Sequence, residues 1–291
     1  MLRRLPASWL VFLSLLIAII GWGWAWVGIR YAIRFYTPGQ LAFGRYLVAS
    51  ITLLSFWIGR GGRFPKSRDW FSLIVMGITG FTIYNLCINL GEQTITAGTA
   101  ALIGAFLPIG NTLGAAFFLG EKLSRTRLTG ILIAFAGVAV TSLGAQGHYF
   151  EFSFGAFLVF LSVLSASVYG VLTKYMVKSY SPLEVVSWAI WAGTLGLIPF
   201  GHGLFTRVQE VPWLATFNVI LLGILPGAIC YALFTFALSR LSVARASTSM
   251  FFMPITSILL GWLLLGELPS WIAIAGGCVT IVGAYIVNTK K

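Results

Sequence analysis

Polar side chains interrupt the long apolar stretches of this sequence. Their chemical types and their spacing indicate that some of them could together bind a ligand. In one stretch, Tyr84, Asn85, Asn89 and Glu92 bring together a phenol, two amides and a carboxylate. Asn85 and Asn89 lie one helical turn apart and Glu92 follows one turn later, so the three predict a polar stripe on a helix. Buried amides need hydrogen-bond partners, either in a ligand or in a neighbouring helix. Glu92 offers a carboxylate to an amine or a proton, or it is solvated at the helix end.

Tryptophans and prolines form a second group of candidates. Trp22 and Trp26 lie one turn apart and share a helix face, whereas Trp24 points elsewhere. If one pair lines a cavity, we expect it to be Trp22 and Trp26, and the alternative is packing or anchoring at the membrane interface. Pro108 and Pro254 fall in the middle of apolar stretches, where each removes a backbone hydrogen bond and predicts a kink or hinge.

Further polar residues are more ambiguous. Asn111 follows Pro108 closely, so its amide could meet a ligand or cap the carbonyl groups that the proline frees. Arg45 is the one full charge deep within an apolar stretch, and a buried guanidinium must be paired or reach water. Arg45 is therefore either a structural tether between helices or part of a site. Glu121 and Glu267 stand at helix ends beside glycine and are interpreted as structural or gate residues rather than ligand contacts.

Catalytic, metal and cofactor chemistry has little support in the sequence. A membrane-embedded enzyme needs clustered His, Asp or Glu, and both histidines lie in predicted loops. The three cysteines lie in apolar stretches without CxxC or Cys/His spacing, which favours packing over metal or disulfide roles. Nothing resembles a P-loop. We therefore expect no enzyme activity, no metal and no cofactor.

The amino-acid composition indicates that lipid surrounds the apolar stretches that carry these candidate ligand-binding residues. Of 291 residues, 58% are hydrophobic and 9% are charged, against roughly 25% charged in soluble domains. The net charge of +12 is scattered between apolar stretches, which argues against a nucleic-acid partner. The pattern predicts an all-α integral membrane protein with ten transmembrane helices. The predicted spans are Leu5–Ile29, Phe35–Gly59, Trp70–Gly91, Ala97–Leu119, Leu128–Gln146, Phe152–Thr173, Val185–Thr206, Val211–Ser239, Ala246–Gly266 and Leu268–Thr289.

The basic residues predict the orientation of these spans. With the N-terminus inside, fifteen of the 19 Lys and Arg residues lie in cytoplasmic segments and three lie in the opposite loops. The positive-inside rule then places both termini in the cytoplasm of a bacterial inner membrane. The first apolar stretch has no Ala-x-Ala cleavage site, so we interpret it as a retained span.

The sequence also contains an internal repeat. Pro108, Glu121, Gly130 and Gly137 each have an identical residue 146 positions later, and Thr37-Pro38 matches Ser181-Pro182 at 144 positions. Because each half holds five spans, an odd number, the second half must be inverted in the membrane. Inverted repeats are typical of transporters that alternate access to a central site. The alternatives are duplication kept for stability, a channel or a lipid-translocating protein.

These residues together resemble the EamA family of the drug/metabolite transporter superfamily. The resemblance covers essentially the whole chain, with five-helix repeats over 1–147 and 148–291. The matching features are Trp22-Gly23, Trp26 and Arg30 in the first span, Pro38 and Arg45 in the second, and Ala97–Glu121 and Ala246–Glu267 in the fourth and ninth.

The resemblance implies a cavity among the first, third, fourth, sixth, eighth and ninth helices. Tyr169 and Tyr231 lie in two of these spans and become candidates on that ground. It also implies a small-molecule substrate, most often an amino acid or related metabolite that is exported, with multidrug or lipophilic-amine efflux as the alternative. The first span lacks the central acid of small four-helix relatives. Proton coupling therefore depends on Glu92 or is absent, and both monomer and homodimer remain open.

Overall fold

The structure is a computed structural model in which every described residue belongs to a helix, a turn or a short loop. The described residues are all those outside 1–6, 108, 112, 115–123, 144–152, 242–245, 247–248 and 289–291. Six helices are long and apolar enough to cross a membrane. They are α1 (Ala7–Ala32), α2 (Pro38–Gly59), α3 (Ser67–Gly91), α6 (Phe154–Met176), α7 (Pro182–Gly201) and α8 (Trp213–Arg240).

Four shorter apolar helices fall in the remaining predicted spans. They are α4 (Ala97–Gly104), α5 (Arg125–Leu143), α9 (Met253–Leu265) and α10 (Trp271–Asn288). The all-helical membrane fold is therefore confirmed, with six spans of full length. Among the described residues, the four shorter helices do not establish four further spans, so the total of ten transmembrane helices stays a prediction.

The starts of α2 and α7 are alike for a local reason. Thr37 and Ser181 each accept a hydrogen bond from the backbone of the third helical residue, and the side chains of Gln40 and Glu184 each accept one back from the cap residue. Both helices thus begin with a capping box followed by proline, which favours helix initiation. The two boxes are 144 positions apart.

Two helices contain a wider turn at matching positions. Ile78–Ile83 in α3 and Gly223–Ile229 in α8 are π-helical, a local irregularity that is frequent at functional sites. Beside these turns, a Cβ added to Gly77 would lie 2.8 Å from the Ala189 carbonyl oxygen, and one added to Gly223 would lie 2.5 Å from that of Arg45. The contact between α3 and α7 is therefore repeated between α8 and α2.

The helices α5 and α10 also pack in a paired manner. A Cβ on Gly137 would lie 2.4 Å from the backbone nitrogen of Thr280, and one on Gly283 would lie 2.4 Å from that of Ala134. Each residue of one contact has its counterpart 146 positions away in the other. The repeat read from the sequence therefore corresponds to paired contacts, since glycine allows the two backbones this close approach.

The structure corrects two of the sequence predictions in particular. The seventh span was predicted to continue to Thr206, but α7 ends at Gly201, and Gly203, at φ 73°, begins a separate short helix, Leu204–Glu210. Glycine adopts this left-handed conformation without steric cost. Pro254 was predicted to lie mid-helix, but it occupies the first turn of α9, after the 3-10 turn Ser249–Phe252. Proline is tolerated there because the backbone N–H groups of the first turn have no carbonyl partner within the helix, so the missing N–H of proline costs no hydrogen bond.

Polar contacts tie the helix ends together on each side of the bundle. On the side that we call the basic face, Glu184 accepts from the Arg63 backbone nitrogen and Tyr180 bonds to Asp69. On the side that we call the opposite face, Gln40 donates to the His202 carbonyl oxygen and Arg207 to that of Phe35. The basic face also carries Arg60, Lys66, Arg68, Lys174, Lys178 and Arg240.

Candidate ligand-binding cavity

A central cavity lies between the first, third, fourth, sixth, eighth and ninth spans. It contains about 700 Å³ of space free of atoms, part of it open to solvent. Its described lining carries no charged side chain and is mostly apolar and aromatic. The lining residues are Trp22, Gly80, Tyr84, Leu107, Asn111, Ala166, Tyr169, Gly170, Thr173, Tyr231, Phe234, Thr235, Leu238, Met250 and Met253.

Aromatic rings form one continuous wall of this cavity. The Trp22 ring centroid lies 5.1 Å from those of both Tyr231 and Phe234, and Tyr231 lies 6.0 Å from Tyr169. Phe81 packs behind both tyrosines at 5.0 Å. Edge-to-face contacts of this kind stabilise ring positions, so the wall is a defined surface rather than a loose group of side chains.

The backbone near the π-helical turn of α8 helps to position the wall. The Trp22 indole N–H donates to the Pro226 carbonyl oxygen at 3.2 Å. This bond satisfies the one polar atom of the indole and fixes the ring orientation. Trp26, by contrast, is 5% exposed and packs toward α4, where a Cβ on Gly104 would meet its ring at 3.0 Å.

Polar atoms in the cavity are few. Asn111 lies beside Gly170, whose added Cβ would meet the Asn111 Oδ1 at 2.3 Å, so the glycine makes room for this amide. Within the described part of the chain, Asn111 Oδ1 has no hydrogen-bond partner. A buried acceptor without a partner costs free energy, which a ligand donor would recover. Asn111 is therefore the clearest polar contact point of the central cavity.

A smaller cavity of about 290 Å³ adjoins the first. The side chains of Trp22, Tyr84 and Tyr231 line both cavities, so the two are adjacent. Arg45 lines the smaller cavity and brings a full charge to this region. Its full lining is Trp22, Ala25, Trp26, Ile29, Arg45, Tyr84, Ile88 and Tyr231.

The predicted polar stripe serves mainly as a tether between α3 and α2. Asn85 donates to the Phe81 carbonyl oxygen at 2.8 Å and accepts from Arg45 Nη1 at 3.2 Å. Asn89 donates to the Pro38 carbonyl oxygen at 2.9 Å. Neither asparagine lines the two cavities, which matches the interhelical alternative for these amides.

Glu92 lies at the end of α3 and is fully buried, so it is not solvated. Neither of its carboxylate oxygens has a hydrogen-bond partner among the described residues. Arg30 approaches it by donating through Nη1 to the Glu92 backbone carbonyl oxygen, and the same guanidinium pairs with Glu267. Arg30 thus joins the ends of α1, α3 and α9 at the opposite face.

The structure therefore separates the predicted site residues into groups. Trp22, Tyr84, Asn111, Tyr169 and Tyr231 meet in the central cavity, although they come from five spans. Trp26 lines the smaller cavity, while Asn85, Asn89, Glu92 and Pro254 lie outside both. Pro108 lies outside the described residues. The ligand contacts of all these residues stay predictions.

Several lining residues were missed by the sequence reasoning. Thr173 and Thr235 follow Tyr169 and Tyr231 by one helical turn, so helical spacing from each tyrosine could have identified them. Met250 and Met253 carry no comparable signal, because methionines in an apolar span are consistent with packing. Among the described residues, no group of three His, Cys, Asp or Glu side chains could hold a metal.

Comparisons with known proteins agree on a family of membrane transporters. The profile of the EamA-like transporter family matches residues 9–143 and again 153–289. A protein of Streptantibioticus cattleyicolor named "Probable terminal-alkyne amino-acid exporter" is 32% identical over 95% of this chain and 93% of its own. The uncharacterized transporter YdfC of Bacillus subtilis is 30% identical over 99% of this chain and 94% of its own.

A comparison with solved structures concerns the fold alone. A protein of known crystal structure matches 95% of both chains with a TM-score of 0.64 at 20% identity. The similarity of fold therefore extends over nearly the whole chain.

Proposed function

The chain belongs to the EamA-like transporter family, and on that premise we propose that it exports amino acids or related compounds by alternating access. The single observation that supports this most is the central cavity, which is uncharged, walled by aromatic rings and joined to one buried guanidinium. Such a site suits a small zwitterion with an apolar side chain. The relative named as an amino-acid exporter supports the same substrate class.

The proposal includes ten helices in two inverted halves, 1–147 and 148–291. The paired contacts of α3 with α7 and of α8 with α2 support this arrangement, as do the two capping boxes. Two similar halves can exchange conformations around one central site, which gives states of nearly equal energy that open to opposite sides. In this proposal, the contacts between Arg30 and Glu267 act as the gate at the opposite face, and their ion pair supports that role.

The proposed location is the bacterial inner membrane, with both termini and the basic face in the cytoplasm. In that orientation, the closed opposite face is periplasmic. The central cavity extends from Trp22 and Tyr84 toward Leu238 at the basic-face end of α8. Substrate from the cytoplasm would then enter from the basic face and leave past Arg30.

The test is uptake of labelled amino acids into proteoliposomes that contain the purified protein, with and without a pH gradient. We expect saturable uptake of neutral amino acids with apolar side chains, reduced at least tenfold by Trp22→Ala, because the ring forms part of the wall. The matched control is Trp213→Ala, since Trp213 is 74% exposed and lies outside both cavities.

The possible outcomes separate the candidate functions. Saturable uptake that is lost in Trp22→Ala and kept in Trp213→Ala supports the proposal. No uptake of any amino acid, together with efflux of lipophilic amines, would replace it with multidrug or amine efflux. Uptake that does not saturate would indicate a channel.

A further inference from the structure

Arg45 is a buried cation whose contacts in the described part of the chain are all neutral. The residue is 4% exposed. Its Nε donates to the Leu222 carbonyl oxygen at 3.3 Å, and its Nη1 donates to Asn85 Oδ1 at 3.2 Å. Its guanidinium carbon lies 5.2 Å from the centroid of the Tyr46 ring. Burying an ion costs several kcal/mol unless an opposite charge is supplied. Among the described residues, no anion contacts the Arg45 guanidinium.

Glu92 interacts with Arg45 through their charges, but it makes no direct ion pair with it among the described residues. It lies seven residues beyond Asn85, about 10 Å further along the axis of α3. The ion pairs found among the described residues do not join it to Arg45. Arg30 lies closer to Glu92, because it bonds to the Glu92 backbone.

The guanidinium is held at an edge of open space. Pro226 has no N–H to offer the Leu222 carbonyl one turn earlier, and that oxygen accepts a hydrogen bond from Arg45 Nε within the π-helical turn of α8. The bonds to Leu222 and Asn85 use two of the five N–H donors of arginine. Arg45 also lines the smaller cavity, which shares the side chains of Tyr84 and Tyr231 with the larger one.

The charge is present in one half of the repeat alone. The counterpart of Arg45, 144 positions later, is Ala189, and the counterpart of Asn85, 146 positions later, is Tyr231. The backbone carbonyl groups of Arg45 and Ala189 make equivalent contacts with Gly223 and Gly77. A charge needed only to join helices would be expected at both positions, whereas a charge that binds one end of an asymmetric ligand is needed once.

We propose that the Arg45 guanidinium binds the carboxylate of the transported molecule, with Asn85 as the residue that positions it. The inference rests on the proposed function and narrows the substrate class to carboxylate-bearing compounds. Two parallel N–H donors suit a carboxylate. The ammonium group and side chain of an amino acid then lie against the rings of Trp22, Tyr84 and Tyr231, whose faces attract cations.

The experiment compares three ligands that share one side chain: phenylalanine, phenethylamine and 3-phenylpropionate. Their binding to the detergent-purified full chain is measured by titration calorimetry, which avoids passive leakage of the amine through lipid. We expect phenylalanine and 3-phenylpropionate to bind wild type at least tenfold more tightly than phenethylamine. Arg45→Gln should remove this preference, and Arg45→Lys should keep part of it because the charge remains.

A second variant protects the test against misfolding of Arg45 variants. Asn85→Asp keeps Arg45 and places a carboxylate about 3 Å from Nη1, as the existing contact of 3.2 Å indicates. The new ion pair neutralises the anion site, so affinity for both carboxylates should fall at least tenfold while phenethylamine stays within threefold. The matched control is Asn218→Asp, because Asn218 bonds to the Gly28 carbonyl oxygen and is not among the hydrogen-bond partners of Arg45. Its carboxylate affinities should stay within threefold of wild type.

Each result has one meaning. Equal binding of the three ligands by wild type, no binding of any of them, or unchanged carboxylate affinity in Asn85→Asp overturns the inference. Binding of 3-phenylpropionate that depends on Arg45, without transport of any amino acid, overturns the proposed function and supports the inference. Amino-acid uptake that is unaffected by Arg45→Gln and Asn85→Asp supports the proposed function and overturns the inference.

Discussion

Arg30 and Glu267 form an ion pair that joins the end of α1 to the end of α9, with Arg30 Nε 3.1 Å from Glu267 Oε2. Arg34 adds a second contact to the same carboxylate at 3.3 Å. Arg30 also donates to the backbone of Glu92 and Gln93. Three helix ends are therefore held together where the smaller cavity approaches the opposite face.

Removing the Glu267 charge should open this face more often. The two main side chains are about one-fifth exposed, 22% and 21%, so the pair contributes about 1 kcal/mol, or roughly a fivefold shift between states. The readout is labelling of Ile29→Cys by a membrane-impermeant maleimide, since Ile29 is 3% exposed and lines the smaller cavity. Labelling from the opposite face should rise in Glu267→Gln. In the control Glu210→Gln, which removes an exposed acid, labelling should not change.

The native cysteines are replaced in these labelling experiments. Cys87, Cys230 and Cys278 are free thiols and would otherwise react. Equal labelling rates in Glu267→Gln and its parent would show that the ion pair does not hold the face closed.

Gly80 allows Tyr169 to lie against α3, so Gly80→Ala should damage the cavity. The added Cβ would lie 2.6 Å from Tyr169 Cγ and 2.8 Å from its Cβ, and these atoms cannot move without the helix. We expect amino-acid uptake to fall at least tenfold and unfolding free energy to fall by about 1–3 kcal/mol. Gly59→Ala is the control, because no atom lies within 4 Å of its added Cβ. Equal uptake by both variants would contradict the predicted role of the Tyr169 wall.

Gly137 and Gly283 should be equally sensitive to substitution. The added Cβ of each would lie 2.4 Å from a backbone nitrogen of the partner helix, so α5 and α10 must separate. We expect Gly137→Ala and Gly283→Ala each to lower the melting temperature in detergent, by similar amounts, and more than Gly59→Ala does. A large effect in one variant alone would argue against equivalent packing of the two halves.

Glu92 is the residue on which proton coupling would depend. Its carboxylate is buried beside Arg30, with Glu267 beyond that guanidinium and Arg45 further along the bundle. We expect Glu92→Gln to abolish uptake driven by a pH gradient and to leave exchange of internal for external amino acid intact, because exchange requires no net proton movement. Both activities are measured in the same proteoliposomes, with Glu210→Gln as the control. Gradient-driven uptake that survives Glu92→Gln would assign Glu92 a structural role.

The sequence by itself determined the helices and their relation to each other. Apolar length locates spans, and the offset of Gly137 to Gly283, together with the match of Thr37-Pro38 to Ser181-Pro182, reveals the repeat. These signals are local or repeated along the chain, so they do not require knowledge of distant contacts. The predictions for the end of α7 and for the position of Pro254 were less accurate. The first depended on the left-handed conformation of Gly203, and the second depended on the 3-10 turn that precedes α9.

Only the tertiary structure decided which polar groups face the cavity. Asn85 and Asn111 are both amides in apolar spans, yet one tethers Arg45 and the other keeps an oxygen without a partner among the described residues. Tyr169 meets Tyr231 across two helices, and the sequence contains no direct sign of that contact. A buried polar group acts according to the partner it finds, and that partner is set by how distant helices pack.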